Sequence, residues 1–561
     1  MMDYQRIFIL LGLAVTAYML VLAWNEDYGQ AASRVEGTAV EQVLQSQSDA
    51  TNQISLPEAA AEGESESLVP RLAEEQQADP VEPVPGRQLI AVSTDVLEVL
   101  IDPLGGDIVR VALPRYPEAL ETPDIPYVLV DPRNAYVAQS GLIGPNGTDR
   151  QGRRPLFEST QTEWSLGTGN TLQVELTTSQ PDGAQITKTF VFRRGDYLID
   201  VDYRISASES AAWRGGLFAQ IKRDSQEPKT DTSNLMGLRP YVGGATRSDQ
   251  ELYDKLTFDD LEEESYKLSI EGGYMAMVQH YFVAAWVSSD DKKNTYQARK
   301  LKGQDIYLFG FTTPAVAIEP GSTEHLSASF YAGPKDQYRL AEIAEGLDLT
   351  VDYGFLWWLA QPLFHLLTAI HSLAGNWGIA IICLTIIVKT LLYPLSAASF
   401  RSMAKMRKLQ PEMVRLKERY GDDRQQFSQA MMELYRKEGA NPLGGCLPIL
   451  LQMPVFLALY WTLMESVELR QAPFFFWIHD LSVMDPYFIL PILMGISMYV
   501  TQMLQPEPPD PVQAKVFKMM PIMFTFFFLW FPSGLVLYWL VNNLLSILQQ
   551  WYVTRQIEKA G

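Results

Sequence analysis

WGIAIICLTIIVKTLLYPL, residues 377–395, decides the fold, because it is uncharged except for one cation, Lys389. As a helix this run rises about 28 Å, close to the hydrocarbon thickness of a bilayer. A cation at the centre of a spanning helix costs roughly 2.5–3.5 kcal/mol, so an ionisable residue kept there is by default a candidate functional site. Position alone leaves a second explanation open. Lys389 is roughly 9 Å along the axis from Leu395, and a lysine that near a helix end can snorkel its ammonium to the interface.

Four more apolar segments follow, at 444–465, 486–504, 516–531 and 534–553. Only Pro532-Ser533-Gly534 separates the last two, which predicts an antiparallel hairpin. Upstream, residues 7–24 (IFILLGLAVTAYMLVLAW) are just long enough to span. No small-x-small cleavage pattern follows them, so they read as an uncleaved anchor. Residues 351–374 are apolar but interrupted by Gln361-Pro362 and two histidines. With Trp357 and Trp358 suited to an interface, they read as an amphipathic helix lying on the membrane, and a true span is the alternative.

Orientation follows from the basic residues. Residues 396–441 carry ten Lys and Arg, whereas the loop 466–485 on the opposite side carries only Arg470. The positive-inside rule places the first loop in the cytosol. Lys515, Lys518, Arg555 and Lys559 then fall on the same side. Both termini are expected in the cytosol and residues 25–350 in the periplasm of a Gram-negative cell. The net charge of −21 is concentrated in that exported part, which is −23 against +2 for residues 351–561. So acidic a region argues against nucleic-acid specificity and against docking on anionic lipid. The two cysteines, Cys383 and Cys446, both lie outside it, so it holds no disulfide framework.

Residues 25–88 are rich in Ala, Glu, Gln, Ser and Pro with Tyr28 as their only aromatic, the composition of a disordered tether. From Gln88 to about Tyr338 the pattern alternates with period two, as in Ile186–Phe192 and Tyr197–Ile205. Turn signals such as Gly105-Gly106-Asp107, Pro145-Asn146-Gly147 and Arg194-Gly195-Asp196 punctuate it, which predicts an all-β sandwich. Its histidines, His280 and His325, are 45 positions apart and read as structural; no catalytic or metal-ligand spacing stands out.

The cytosolic loop reads as a helical hairpin. Met403, Met406, Leu409, Met413, Leu416 and Tyr420 recur at three and four, as do Phe427, Met431 and Leu434. Gly421 suits a left-handed helix end and Asp423 with Gln426 suits a capping box. Its basic residues Arg401, Lys405, Arg407, Lys408, Arg415, Lys417 and Arg419 serve either as a solvated, lipid-facing positive-inside feature or as a docking surface for a partner such as a ribosome or nascent chain.

A coupled transporter usually shows paired repeats and intramembrane carboxylates. Neither is evident here, and Glu465 stands only at the exit end of its segment. What accompanies Lys389 is uncharged: Thr385, Gln452, Gln502, Tyr538, Trp539, Asn542 and Asn543, with many methionines, Met453 among them. Methionine surfaces repack around varied apolar partners. A hydrated basic pocket beside such a flank suits a polypeptide segment better than a small solute. Transporter or channel, and anchored periplasmic glycan-binding protein, are the competing readings.

The run NPLGGCLPILLQMPVF (441–456) resembles the signature of the YidC family of membrane protein insertases. So do Ser402-Met403-Ala404-Lys405-Met406 with Leu409-Gln410-Pro411, and FPSGLVLYW (531–539). The resemblance implies a polytopic α-helical membrane protein of six spans, with a five-helix insertase core and a large all-β periplasmic sandwich. It implies a non-enzymatic insertase and chaperone of inner-membrane proteins, working alone or with the SecYEG translocon through a groove open to cytosol and lipid. The implied partners are nascent membrane proteins, SecYEG, the ribosome and targeting machinery, and the bilayer; no cofactor and no metal are implied. In that groove the family's cation falls on Lys389, where arginine is commoner, so the charge is kept but the bidentate fork is lost. Gln452 matches a polar groove position and Trp539 an aromatic one, with Thr385, Met453 and Tyr538 beside them. The expected division is anchor 1–24, acidic linker 25–88, sandwich 89–345, interfacial helix 346–374, core 375–555 with cytosolic hairpin 400–440, and tail 556–561.

Overall fold

A computed structural model describes residues 57–58, 71–72, 88–149, 153–226, 240–289, 292–420, 423–438, 447–505 and 511–560. The expected anchor 7–24, most of the linker, Gly421 and the 441–446 part of the signature lie outside the described residues. Pro57–Glu58 and Arg71–Leu72 pair as a short antiparallel ladder.

Residues 90–334 form two large, mainly antiparallel sheets facing each other across one apolar core, the expected sandwich. The first sheet runs in space from Asp254–Leu256 through Gly243–Thr246, Tyr274–Val278, Phe282–Ser288, Thr323–Pro334, Leu198–Ser206, Gln185–Arg193 and Thr171–Ser179 to Glu158–Ser159. The second centres on Trp213–Arg223, flanked by Tyr307–Thr312 and Val137–Ile143. Period-two alternation explains the packing. In Leu198–Ser206, Ile199, Val201, Tyr203 and Ile205 all point into the core. Phe190 pairs with Val201 and Phe192 with Ile199, so both strands present apolar side chains to the same side. The hairpin between them turns at Gly195, whose φ of +71° is a left-handed conformation that side chains disfavour.

Two short helices accompany the sandwich, α1 (Phe258–Glu263) between its strands and α2 (Gln337–Ile343) just after the last of them. The helical region then comprises α3 (Trp357–Ala374), α4 (Trp377–Leu391), α5 (Tyr393–Tyr420), α6 (Arg424–Glu438), α7 (Leu447–Glu465), α8 (Ile489–Met503), α9 (Pro511–Phe527) and α10 (Ser533–Ala560). Among the described residues no single helix is long and apolar enough to cross a membrane; the pair α4 and α5, bent by 67°, passes that criterion together. The segment expected to run straight to Leu395 therefore ends at Leu391. Pro394 explains the break: it fits the first turn of a new helix but lacks the N–H that would continue the old one.

Helix α3 is amphipathic. Ala360, Leu363, Phe364 and Leu367 are buried at helical spacing, while Trp357, Trp358, Leu366 and Leu373 stay exposed. It ends at Gly375, φ +66°, and His371 stacks on Trp377 of α4. Helix α10 is the spine of the helical region, packing against α4, α5, α7 and α8.

Candidate functional site

Helix α4 places Lys389. Asn376 caps it by accepting from the Ile379 amide at 3.1 Å. Ile381, Thr385 and Lys389 follow one another at four-residue intervals and are all buried, whereas Ile386, Ile387 and Leu391 face outward. Lys389 therefore lies on the inner stripe and is only 3% exposed. Its ammonium donates to Ser546 Oγ of α10 at 2.7 Å. That geometry is not a snorkel, which would carry the amine outward past Leu391.

The partner helix supplies a row of polar groups. Asn542, Asn543, Ser546, Gln549 and Gln550 recur at three and four along α10, so they share one side of it. Asn542 Nδ2 donates to Gln452 Oε1 of α7 at 3.4 Å, and Asn543 Nδ2 to Ser497 Oγ of α8 at 3.0 Å. Gln550 Nε2 donates to the Leu504 carbonyl at 2.9 Å, and Gln549 Nε2 reaches the Lys389 carbonyl at 3.4 Å. Several buried polar atoms here have no partner among the described residues: Trp539 Nε1, Gln549 Oε1, Gln550 Oε1 and Ser396 Oγ. Buried polar groups are normally satisfied by protein or by water, so these atoms keep unused hydrogen-bonding capacity.

The sequence-predicted residues divide by place. Lys389 and Gln452 lie on the polar track. Thr385 is buried but spends its hydroxyl on the Ile381 carbonyl one turn back. Phe456 meets the Trp539 ring edge-on at 4.6 Å and stacks near the buried Tyr538 at 6.4 Å. Met453 is 40% exposed on the outer side of α7. Arg401, Lys405, Arg407, Lys408, Arg415, Lys417 and Arg419 are all exposed on α5. Beneath them Leu409, Met413 and Met431 bury a small core joining α5 to α6. Asp423 caps α6, accepting from the Gln425 and Gln426 amides at 3.0 Å.

Sequence reasoning missed Ser396, Ser497, Ser546, Gln549 and Gln550. The polar spacing along α10 was a usable signal. The two serines on other helices gave none.

The far end of the helices is closed. Asp485 accepts from Trp477 Nε1 at 3.0 Å and from the Leu490 amide at 2.7 Å. The Ser533 and Gly534 amides donate to Val483 and Leu481 carbonyls at 2.7 and 2.9 Å. Leu469, Ile478, Leu481, Phe528, Phe531 and Leu535 fill the space beneath with apolar side chains.

The sandwich is fastened to that end. Lys335, just past its last strand, pairs with Glu465 at 2.6 Å, both nearly fully buried, and also donates to the Thr350 carbonyl. His280 Nε2 lies 2.8 Å from the Met464 carbonyl, and Arg470 donates to the Pro117 carbonyl at 2.7 Å. Val467 sits in the sandwich core itself. Burial, with Lys335 nearby, pulls the His280 pKa down to about 3. The ring is thus neutral and donates through Nε2–H, leaving Nδ1 without a partner. The other histidine expected to be structural, His325, pairs with Asp202 at 2.8 Å.

Comparison with known proteins covers nearly the whole chain. Residues 369–560 match the family profile described as 60Kd inner membrane protein, and residues 89–366 the YidC periplasmic domain. A relative from Cellvibrio japonicus (strain Ueda107), named membrane protein insertase YidC, is 52% identical over 561 residues, covering 100% of this chain and 99% of that one. A relative of the same name from Pseudomonas putida (strain W619) is 51% identical over 564 residues, with the same coverage. A crystal structure of an active YidC insertase with its first transmembrane domain resolved aligns with a TM-score of 0.39 and 20% identity, covering 84% of this chain and 93% of that chain.

Proposed function

Since the chain belongs to the YidC family of membrane protein insertases, we propose that the polar track on α10 is where it receives its substrates. It is a membrane protein insertase of the bacterial inner membrane, with a periplasmic β-sandwich ahead of a helical region. The proposal is how it works. The observation that carries it is Lys389, buried on an inner stripe with its ammonium on Ser546.

In this reading the chain has six spans, five of them forming the core, with both termini and the α5–α6 hairpin in the cytosol. The track around Lys389, Gln452 and Asn542 is a hydrated groove open to the cytosol and to lipid. It lowers the cost of bringing a polar or acidic tail into the membrane, since a polar group in hydrocarbon is expensive unless paired. Thr385 and Tyr538 support its walls. The apolar part of the substrate leaves sideways past Met453 and Trp539, whose soft and aromatic surfaces adapt to varied segments. No bond is made or broken, so the protein acts as insertase and chaperone and not as a conventional enzyme.

The cations of α5, exposed together on one arm, are proposed to meet the ribosome and the targeting machinery, and SecYEG is proposed as a partner for larger substrates. The test is site-specific photocrosslinking from positions 389, 452 and 539 to a stalled nascent membrane protein, in proteoliposomes holding the full chain. Crosslinks to the nascent segment are expected at all three. Crosslinks to lipid alone would reject the groove.

A further inference from the structure

Helix α9 is held to the rest of the helical region unevenly along its length. Its less exposed positions, Phe517, Pro521 and Phe524, recur at three and four, and α8 is a helix it packs on. On the other side Val516, Met519, Ile522, Met523 and Phe526 are all more than half exposed. The carboxyl-terminal end is well anchored. Phe528, in the turn that follows, lies 5.5 Å from the Trp539 ring of α10 and 6.5 Å from the Phe456 ring of α7. One turn earlier a Cβ at Gly495 would collide with Thr525, so the backbones of α8 and α9 approach closely there.

Beyond Pro521, toward Pro511, the tie to α8 is made by a side chain. Gln502 Nε2 donates to the Phe517 carbonyl. That bond has a cause in the sequence. Pro521 has no N–H, so it leaves the carbonyl four residues back, that of Phe517, without its helical donor. Neighbouring side chains commonly take over such carbonyls in membrane helices. Here the takeover is incomplete, because Gln502 Oε1 is buried with no partner among the described residues. Gln502 itself stands on a fixed support. On one side of it Asn543 of α10 bonds Ser497, and on the other Gln550 of α10 bonds the Leu504 carbonyl.

We propose that residues 511–521 of α9 form a hinged arm, with Pro521 as the hinge and Gln502 as the latch. The helix lacks at Pro521 the hydrogen bond that would resist bending. The Gly495–Thr525 contact and the aromatic end keep the other half in place. The latched state strands the Gln502 oxygen and the released state strands the Phe517 carbonyl. Each therefore leaves one polar group short, and neither is strongly favoured. In the function proposed above, the swing widens the side of the molecule next to Trp539, past which the apolar part of a substrate leaves. The arm depends on that reading for this role alone.

The test is pulsed electron resonance between spin labels on the full chain in proteoliposomes, with Cys383 and Cys446 replaced by serine. One pair joins position 515 on the arm to 548 on α10, and a control pair joins 526 to 548. Gln502→Met, which cannot donate, should add a population displaced by about 3 Å at the first pair. That is the movement of a point roughly 9 Å along a helix from a bend of about 20°. The control pair should not move. Adding Pro521→Ala should restore the parental distance, because the alanine amide supplies the missing donor. Pro521→Ala alone should leave one narrow population and slow insertion about threefold. It favours helix formation, which keeps the test decisive if Gln502→Met does not fold. Crosslinks from positions 389 and 452 to a nascent segment should persist in Pro521→Ala, which tells a failed arm from a failed groove. An unmoved first pair in Gln502→Met, an equal shift of both pairs, a displaced population that survives the added Pro521→Ala, or unslowed insertion in Pro521→Ala would overturn the proposal.

Discussion

Lys389 is a point charge on a flexible stem, and its ammonium is hydrogen-bonded to Ser546. Its importance should depend on the charge of the substrate tail. Replacing it with Ala is expected to slow insertion of a substrate with an acidic tail by about tenfold, the equivalent of about 1.4 kcal/mol. A neutral-tailed substrate should slow less, and Lys389→Arg should remain close to the parent. Protease protection of the inserted substrate in proteoliposomes measures this. Equal slowing of both substrates would place the lysine's role in packing. The buried Lys335–Glu465 pair makes a different prediction. Lys335→Ala leaves an uncompensated buried carboxylate and should cost about 3–5 kcal/mol, whereas converting both partners to Met and Leu should cost far less. Thermal unfolding of the two variants in the same detergent separates these outcomes. The sequence announced the first cation, because a charge in an apolar run is conspicuous. It was silent on the second, because Lys335 and Glu465 are 130 positions apart and each looks like an ordinary charge at the end of an element.

At the scale of elements, the α5–α6 hairpin separates packing from charge. Leu409, Met413 and Met431 hold it together, and the basic side chains stand clear of that core. Reversing Arg401, Lys405, Arg407 and Lys408 to Glu should therefore leave helicity intact and abolish co-sedimentation with ribosomes at low salt. In the parent, that association should weaken as salt shortens the Debye length to about 3 Å at 1 M. Circular dichroism and sedimentation read the two effects independently. The helices were legible here because periodicity is local. The 67° bend between α4 and α5 was not, since an apolar run looks the same straight or broken until Pro394 is weighed. The strands were legible for the same local reason. Their order was not: Leu198–Ser206 lies between Gln185–Arg193 and Thr323–Pro334, the second more than a hundred residues away.

For the whole molecule, the junction between sandwich and helices should respond to pH. His280 is held neutral by burial, with a folded-state pKa of about 3, against about 6.5 when unfolded. The unfolded chain therefore takes up a proton that the folded one refuses. Stability from this group is complete above about 6.5 and declines as pH falls from there toward 3. Hydrogen exchange at residues 464–470 is expected to rise across that window, and His280→Gln should flatten the response. An unchanged pH profile in that variant would assign the effect to another group.

The closed loop after α7 has a mechanical consequence. It is tied to α10 by backbone hydrogen bonds, to α8 through Asp485, and to the sandwich through Arg470, next to the Lys335–Glu465 pair at the end of α7. The helices are therefore stiffest at that end. The opposite end, with exposed charges on a hairpin held by a small core, is the compliant one. In the proposed topology, thermal motion then widens the protein toward the cytosol and not toward the periplasm. A segment that works its way in meets a wall that does not breathe, and its easier escape is lateral. Direction would come from an uneven distribution of stiffness, with no fuel consumed.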